Sequence, residues 1–273
     1  MPKKLFKKQN YHTNKTMKIN KLLFLSFLVA LSNLLFAQSP IGHAKYLKII
    51  NGLSTDTTNY NLYFNQETSL FIRYKEQDPH YGEKSSFYRD NNDKVVTINP
   101  MTIDDYVCFN SSSNKSYSKI EIKDKAFIVY DSISTIQWEI QAETKKIGSF
   151  NCQKAVGDFR GRSYEAWFTF EVPVNIGPWK LRGLPGLIIE VEDKAKEVRF
   201  SLTSIEYPCK DCQLNIPPID SKETSLQQFL VLKKKYQDAA QARANANAPA
   251  GVNITIKFDG DTPLEKEYEF LGQ

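Results

Sequence analysis

The stretch Gly177-Pro178-Trp179-Lys180-Leu181-Arg182-Gly183-Leu184-Pro185-Gly186-Leu187-Ile188-Ile189-Glu190 sets three glycines, two prolines and one tryptophan against an apolar run. Gly177-Pro178 breaks whatever precedes it, since proline has no N–H and restricts its predecessor. Leu184-Pro185-Gly186-Leu187 reads as a type II turn, with proline at the second position and glycine at positive φ at the third. Leu187, Ile189 and Val191 then alternate with Glu190 and Glu192, and Val198, Phe200 and Leu202 alternate with Arg199, Ser201 and Thr203. The polar turn Asp193 to Lys196 between the two runs makes them a hairpin.

The same alternation extends outward in both directions. An apolar stretch from Tyr46 to Ile50 predicts a first strand. Leu62/Phe64 and Leu70/Ile72/Tyr74 predict a hairpin around Asn65-Gln66-Glu67. Glu76 to Lys94 reads as a long exposed loop, and Val95–Ile98 and Asp104–Phe109 as short strands. Ile120/Ile122 and Phe127/Val129 predict another hairpin. Ile136, Trp138 and Ile140 predict a half-buried strand. Cys152–Asp158 and Ser163–Glu171 pair across Phe159-Arg160-Gly161-Arg162. Thr224-x-x-Gln227 is a capping box that opens a helix running to about Ala244, with Leu226, Phe229 and Leu230 on its apolar face and the Lys233 stem beside them. Val252, Ile254, Ile256 and Phe258 predict a last strand, and the tail from Asp259 reads as polar and frayed. The expected fold is mainly β: a single curved antiparallel sheet or half-barrel with one C-terminal helix packed on it.

The chain has 273 residues and a formal charge of +5. Residues 1–37 hold seven of the 36 basic residues and no acidic one, so the remainder carries 29 basic against 31 acidic. The basic balance belongs to this leader and gives no reason to expect nucleic acid as a partner. Lys18 and Lys21, the apolar run Leu22–Leu31 and Leu35-Phe36-Ala37 have the layout of a signal peptide cleaved before Gln38. Met17 makes a better start for it than Met1, which leaves residues 1–16 as a mis-assigned start. The apolar run falls short of the ~20 residues needed to span a bilayer, so the mature chain is not expected to be transmembrane. Residues 38–273 are expected to form a single β-rich domain.

Four cysteines follow the leader: Cys108, Cys152, Cys209 and Cys212. In an exported chain this even set predicts disulfides, with Cys209 paired either locally or to Cys108 or Cys152. No helix start follows Cys209-x-x-Cys212, which argues against a thioredoxin-type redox pair. His43 and His80 lie too far apart to complete a zinc set, so neither metal nor cofactor is expected. The chain contains no G-x-S-x-G, H-E-x-x-H, G-x-x-x-x-G-K-[ST] or G-x-G-x-x-G.

Gly183-Leu184-Pro185-Gly186-Leu187-Ile188 spells out the name of the GLPGLI family, exported proteins of Bacteroidota, and the chain resembles that family. The resemblance takes in Cys152-Gln153-Lys154-Ala155, Arg160-Gly161-Arg162, Ala166-Trp167-Phe168-Thr169 and Gly177-Pro178-Trp179-Lys180, and continues to Asp193. It implies export to the periplasm or outer membrane and association with transport or secretion there, and it implies no catalytic residues.

The candidate binding residues are Trp179, Leu181, Arg182, Leu184, Pro185, Gly186 and Leu187, with Arg160 and Arg162. Two readings compete for them. In one, the stretch is a connection that covers the end of the sheet, with Trp179 and Leu184 plugging the core. In the other, Trp179, Leu181, Leu184 and Leu187 line a groove for an apolar ligand, lipid or protein segment, with Lys180 and Arg182 at the rim. Arg160-Gly161-Arg162 reads either as a solvated hairpin turn or as a binder of an anionic headgroup or carboxylate. Glu165, Glu171, Glu190 and Glu192 are expected on the solvent face; as paired carboxylates they would suit a glycoside hydrolase. The sequence thus favours a non-catalytic envelope protein that binds or carries an apolar ligand, lipid or protein segment. The alternatives are an assembly partner of outer-membrane machinery, and a hydrolase without a recognisable motif.

Overall fold

The computed structural model describes residues 39–52, 55–73, 85–87, 96–98, 106–122, 125–217, 223–248, 254, 256–258 and 264–268. The expected leader, most of the expected loop 76–94, Tyr74 and residues 251–253 lie outside them. Strands β1 (Gly42–Asn51), β2 (Thr55–Phe64) and β3 (Thr68–Arg73) follow each other as antiparallel neighbours. The turn between β2 and β3 is the expected one, with Asn65 Oδ1 accepting the N–H groups of Glu67 and Thr68 at 2.9 and 2.8 Å. Then come β4 (Ser85–Phe87), β5 (Val96–Ile98), β6 (Tyr106–Asn110), β7 (Lys115–Ile122) and β8 (Lys125–Ser132). The second half holds β9 (Glu139–Ile147), β10 (Phe150–Phe159), β11 (Arg162–Thr169), β12 (Leu187–Asp193) and β13 (Val198–Glu206). The short β14 (Glu223–Ser225), helix α1 (Leu226–Ala246) and β15 (Ile256–Phe258) complete the described elements.

Twelve strands form one open sheet in the order β14-β8-β7-β6-β3-β2-β1-β13-β12-β11-β10-β9. All its pairs are antiparallel except β14 on β8, so the sheet is mixed rather than purely antiparallel. A separate three-stranded sheet, β15-β5-β4, also contains one parallel pair, β15 on β5. Its β4 lies within the stretch read from sequence as loop.

The connection from β8 to β9 shows how strongly the large sheet bends. β8 stands second and β9 twelfth in the order, ten neighbour spacings apart. At about 4.8 Å per spacing a flat sheet would hold them roughly 48 Å apart. The link of residues 133–138 reaches at most about 25 Å when fully extended. The two ends of the sheet must therefore curl toward each other, which gives the expected half-barrel. This link is irregular, so of the half-buried strand predicted over Ile136–Ile140 only Glu139 and Ile140 are in a strand, the start of β9. The link has to cross between the ends, and it drops Ile133 and Ile136 into the core at 1% and 5% exposure.

The interior of the half-barrel is filled by the chain itself. Between β11 and β12 the chain leaves the sheet for residues 170–186 and packs across its inner face. Trp179, Leu181 and Leu184 join Tyr46, Phe64 and Phe168 in one core. Tyr46 also donates its hydroxyl to Ile188 O at 2.6 Å, tying β1 to β12 through the core. A smaller cluster of Leu70, Tyr106 and Cys108 lies apart from that core, covered in part by Leu214 as the chain passes from β13 toward β14.

The helix is the single one among the described residues, and it starts one residue later than the predicted cap. Ser225, not Thr224, is the N-cap, and it exchanges hydrogen bonds with Gln228. Leu226 and Phe229 pack on Ile122 and Val129, with Phe229 edge-on to Phe127 at 5.7 Å between centroids. No described helix is long and apolar enough to cross a membrane.

Gly186 has a different duty in the motif from the one read in sequence. Gly186 is not at positive φ; Gly183 is, at +101°. Gly186 is required by proximity instead, since a Cβ there would lie 2.0 Å from the carbonyl oxygen of Thr169. Trp179 itself sits at φ +56°, a backbone conformation that a bulky residue adopts only where its surroundings over-determine it.

Candidate functional site

A buried network of charges lies where the two ends of the sheet approach. Its first part is the hairpin between β10 and β11. Phe159 pairs with Arg162 across a two-residue loop, with Arg160 at φ +50° and Gly161 at φ +76°. Positive φ at both loop positions is the type I′ geometry that matches strand twist. The turn is therefore as expected, but it is not solvated: Arg160 and Arg162 are 5% and 3% exposed.

Arg160 reaches across to β8 at the other end of the sheet. Its Nη2 donates to both carboxylate oxygens of Asp131, at 3.0 and 3.2 Å. Lys180, from the inner segment 170–186, donates to the same carboxylate at 3.0 Å. Lys180 Nζ also donates to Glu265 Oε1 at 2.9 Å, and Arg160 Nη1 lies 3.4 Å from that oxygen. Glu265 belongs to the tail expected to be frayed. Residues 264–268 are instead seated on the sheet: the N–H groups of Lys266 and Glu267 donate to Arg160 O at 2.9 and 3.2 Å. The Tyr268 ring lies 5.2 Å from the Arg160 guanidinium.

Arg162 forms the second half of the network. Its Nη1 donates to Asp193 Oδ2 at 2.6 Å and to Glu197 Oε2 at 2.8 Å. The other oxygen of Asp193 accepts the N–H groups of Glu197 and Val198, each at 2.8 Å, so one carboxylate both shapes the β12–β13 turn and holds Arg162. Lys266 Nζ meets Glu197 Oε2 at 2.8 Å. The hydrogen bonds from Lys266 and Arg162 hold the Glu197 carboxyl below its ordinary range. Together these contacts clasp β8, β11, β12, the inner segment and the tail.

The arrangement places the predicted site residues in two groups. Trp179, Leu181, Leu184 and Leu187 are buried, at 6%, 0%, 1% and 0% exposure, and Gly186 is buried with them. This is the core-plugging reading of the stretch. Arg182 and Pro185 keep some surface. Arg182 donates to Asn114 Oδ1 at 2.9 Å and lies over the Phe109 ring, and burial lowers its guanidinium to about 10. Pro185 borders a hollow of about 220 Å³ with Gln66, Pro173 and Val174. The two arginines do bind carboxylates, but those of this chain.

Sequence reasoning missed the partners Asp131, Asp193, Glu197 and Glu265. The available signal was that Asp131 and Asp193 each stand near the end of an alternating apolar run, where a turn can fold an acid back over a buried arginine. Of the four glutamates raised as paired carboxylates, Glu165 and Glu192 stand opposite each other across β11 and β12. Three of them form separate contacts: Glu190 with Lys145 and Arg199, Glu165 with Lys154, and Glu171 with Asn151. A hydrogen bond from Lys154 lowers the Glu165 carboxyl.

Beside the clasp is a cleft of about 490 Å³. Its walls are mostly polar, with Ser134, Thr135, Asp158, Ser163 and Glu267 around Arg160 and Arg162. Cys209 and Cys212 form a disulfide with Cα atoms 5.5 Å apart, the local one of the expected pairings. Cys108 and Cys152 are free and buried rather than disulfide-bonded, and burial pushes both thiols up to about 11. Glu206 lies beside the bonded pair with its ligand atom within 4.8 Å of both sulfurs, but the disulfide takes up the two thiolates that a metal would need.

No curated protein matches the sequence. Among solved structures, the chain aligns with PNGF-II in the P21 space group at 15% identity and a TM-score of 0.47, covering 73% of this chain and 34% of that one. The C2 form of PNGF-II gives 16% identity and a TM-score of 0.43, covering 81% and 31%. An uncharacterized conserved protein from Thermus thermophilus gives 8% identity and a TM-score of 0.35, covering 68% and 91%. The chain thus spans about one third of the PNGF-II chains, 34% and 31% in the two forms. Residues 160–190 match the model of a family described as a protein of unknown function, Porph_ging. That match begins at the buried arginine turn, takes in β11 and the inner segment, and ends inside β12, so it coincides with the plug and much of the clasp.

Proposed function

We propose that the chain is an exported, non-catalytic β-rich protein of the cell envelope, of the GLPGLI type, and that it acts by engaging an extended segment of another protein. The carrying observation is β9. It has a single strand neighbour among the described residues, β10, and most of its nine residues are exposed. Such an edge presents unpaired N–H and C=O groups that an added strand can take up. Lys145 and Lys146 on this strand keep the edge from pairing indiscriminately.

Two features favour a protein segment over an apolar ligand or lipid. The inner face of the half-barrel is occupied by residues 170–186, and the larger open cleft is mostly polar. The buried cations of the motif, Arg160, Arg162 and Lys180, are engaged with carboxylates of this chain, which suits a structural role better than acid–base chemistry.

The test is site-specific photocrosslinking in cells. A crosslinking residue at Ile140 or Thr144 on β9 is compared with one at Val231, which is 70% exposed on the helix. The expected result is a discrete envelope-protein adduct from β9 alone, on a chain that begins at Gln38. An unprocessed chain retained in the cytoplasm, or adducts indifferent to position, would refute the proposal.

A further inference from the structure

The segment Leu264–Tyr268 has an unusual hold on the sheet. Two of its N–H groups share one acceptor, Arg160 O, rather than running along a strand ladder. The rest of the described hold comes from side chains. Leu264 packs on the main core, and Glu265 meets the buried Lys180 and Arg160. Lys266 meets Glu197, and the Tyr268 ring lies on the Arg160 guanidinium. Lys266 and Glu267 themselves are exposed. The seat therefore reads an apolar residue, a carboxylate at the next position and an aromatic ring three further on.

The chemistry favours exchange over simple opening. Lifting Glu265 away takes a counter-charge from two nearly buried cations, which is unfavourable unless another carboxylate replaces it. A competing segment with the same pattern would restore each contact as this one leaves. The adjacent cleft of about 490 Å³, bordered by Arg160, Gly161 and Glu267, gives that competitor a way in alongside the resident segment.

We propose that this seat is a recognition site for a short acidic segment of a partner protein, an apolar residue followed by a carboxylate, and that Leu264–Tyr268 is its resident competitor. The site is distinct from the β9 edge, and the proposal stands or falls independently of it.

The test uses the full wild-type chain and the end-blocked peptide Leu-Glu-Lys-Glu-Tyr. Hydrogen exchange at the amides of Lys266 and Glu267 is followed as peptide is added. The expected result is a saturable acceleration, with the peptide carrying Gln in place of the first Glu at least ~10-fold weaker, the effect of losing one charge-assisted contact. No acceleration, or equal effects of the two peptides, would overturn the proposal. A second measurement uses Glu265→Ala in the full chain. Acetate is expected to raise its melting temperature saturably, or to restore its folding, where chloride at equal ionic strength does not. Failure of acetate to do either would overturn the carboxylate seat.

Discussion

Replacing Asp131 by asparagine removes the carboxylate on which Arg160 and Lys180 converge at 3.0 Å each while leaving side-chain volume almost unchanged. The side chains of Asp131, Arg160 and Lys180 are 6%, 1% and 5% exposed, so the cations cannot turn to water for compensation. Breaking such a pair from one side typically costs about 3–5 kcal/mol, because a charge is left buried without its partner. For a domain of this size each kcal/mol lowers the melting temperature by about 2–4 °C, so the expected fall is roughly 6–20 °C. Lys145→Ala is the control. It removes an ion pair with Glu190 whose lysine is 40% exposed, and such pairs contribute at most ~1 kcal/mol. Urea unfolding followed by far-ultraviolet circular dichroism gives both numbers, and the Asp131 effect should persist at high salt because buried pairs are poorly screened. A loss below ~1 kcal/mol for Asp131→Asn, or one erased by salt, would refute the clasp.

Gly186→Ala is expected to cost ~3 kcal/mol or more, since its Cβ would lie 2.0 Å from a backbone oxygen, as read from chemical denaturation. Gly183→Ala should cost only about 1–2 kcal/mol, because a Cβ fits there without a clash and the φ of +101° alone is strained. Stability should be lost as pH rises between about 9 and 11. In that window unfolded Cys108 and Cys152 release protons that the folded thiols, raised by burial to about 11, still hold. Tyr46 and Tyr164, also raised by burial, add a loss of the same sign above about pH 10; a pH series of urea midpoints on wild type and Cys152→Ala should show a shallower fall in the variant. Reducing Cys209–Cys212 should lower stability by no more than ~2 kcal/mol, because the loop it closes is very short, and alkylation with mass spectrometry should find two thiols that react only after reduction.

Local order was readable in the sequence where neighbours decide it. The alternation of β12 and β13 and the Asn65 turn each depend on residues within a few positions of one another. The capping box was found to within one residue for the same reason. What remained hidden is long-range. Arg160 and Arg162 showed a tight turn, but not that Asp131, 29 residues earlier, closes over one and Asp193, 31 later, over the other. The bond from Lys180 to Glu265 spans 85 residues, and the polarity of the tail gave no sign of it. Ile136 and Trp138 kept the spacing of a strand while serving a crossing link, because periodicity reports which side chains are buried and not which backbone groups are paired. The parallel placement of β14 beside β8 is likewise a tertiary outcome, since three residues carry no pairing signal of their own.

The Gly-Leu-Pro-Gly-Leu-Ile stretch is, above all, the interior plug of the half-barrel, with Leu184, Leu187 and Ile188 in the core. Native-state hydrogen exchange across residues 170–188 tests this most directly. The amides of Gly183, Leu187 and Ile188 donate to Asn175 O, Val172 O and Ile176 O at 3.0, 3.0 and 3.2 Å. They are expected to exchange only through global unfolding, at the same free energy as the core strands β1 and β12, and to be unmoved by fatty acid or detergent below its micelle concentration. Exchange through a local opening well below that free energy, or protection that changes on adding such a ligand, would contradict the plug.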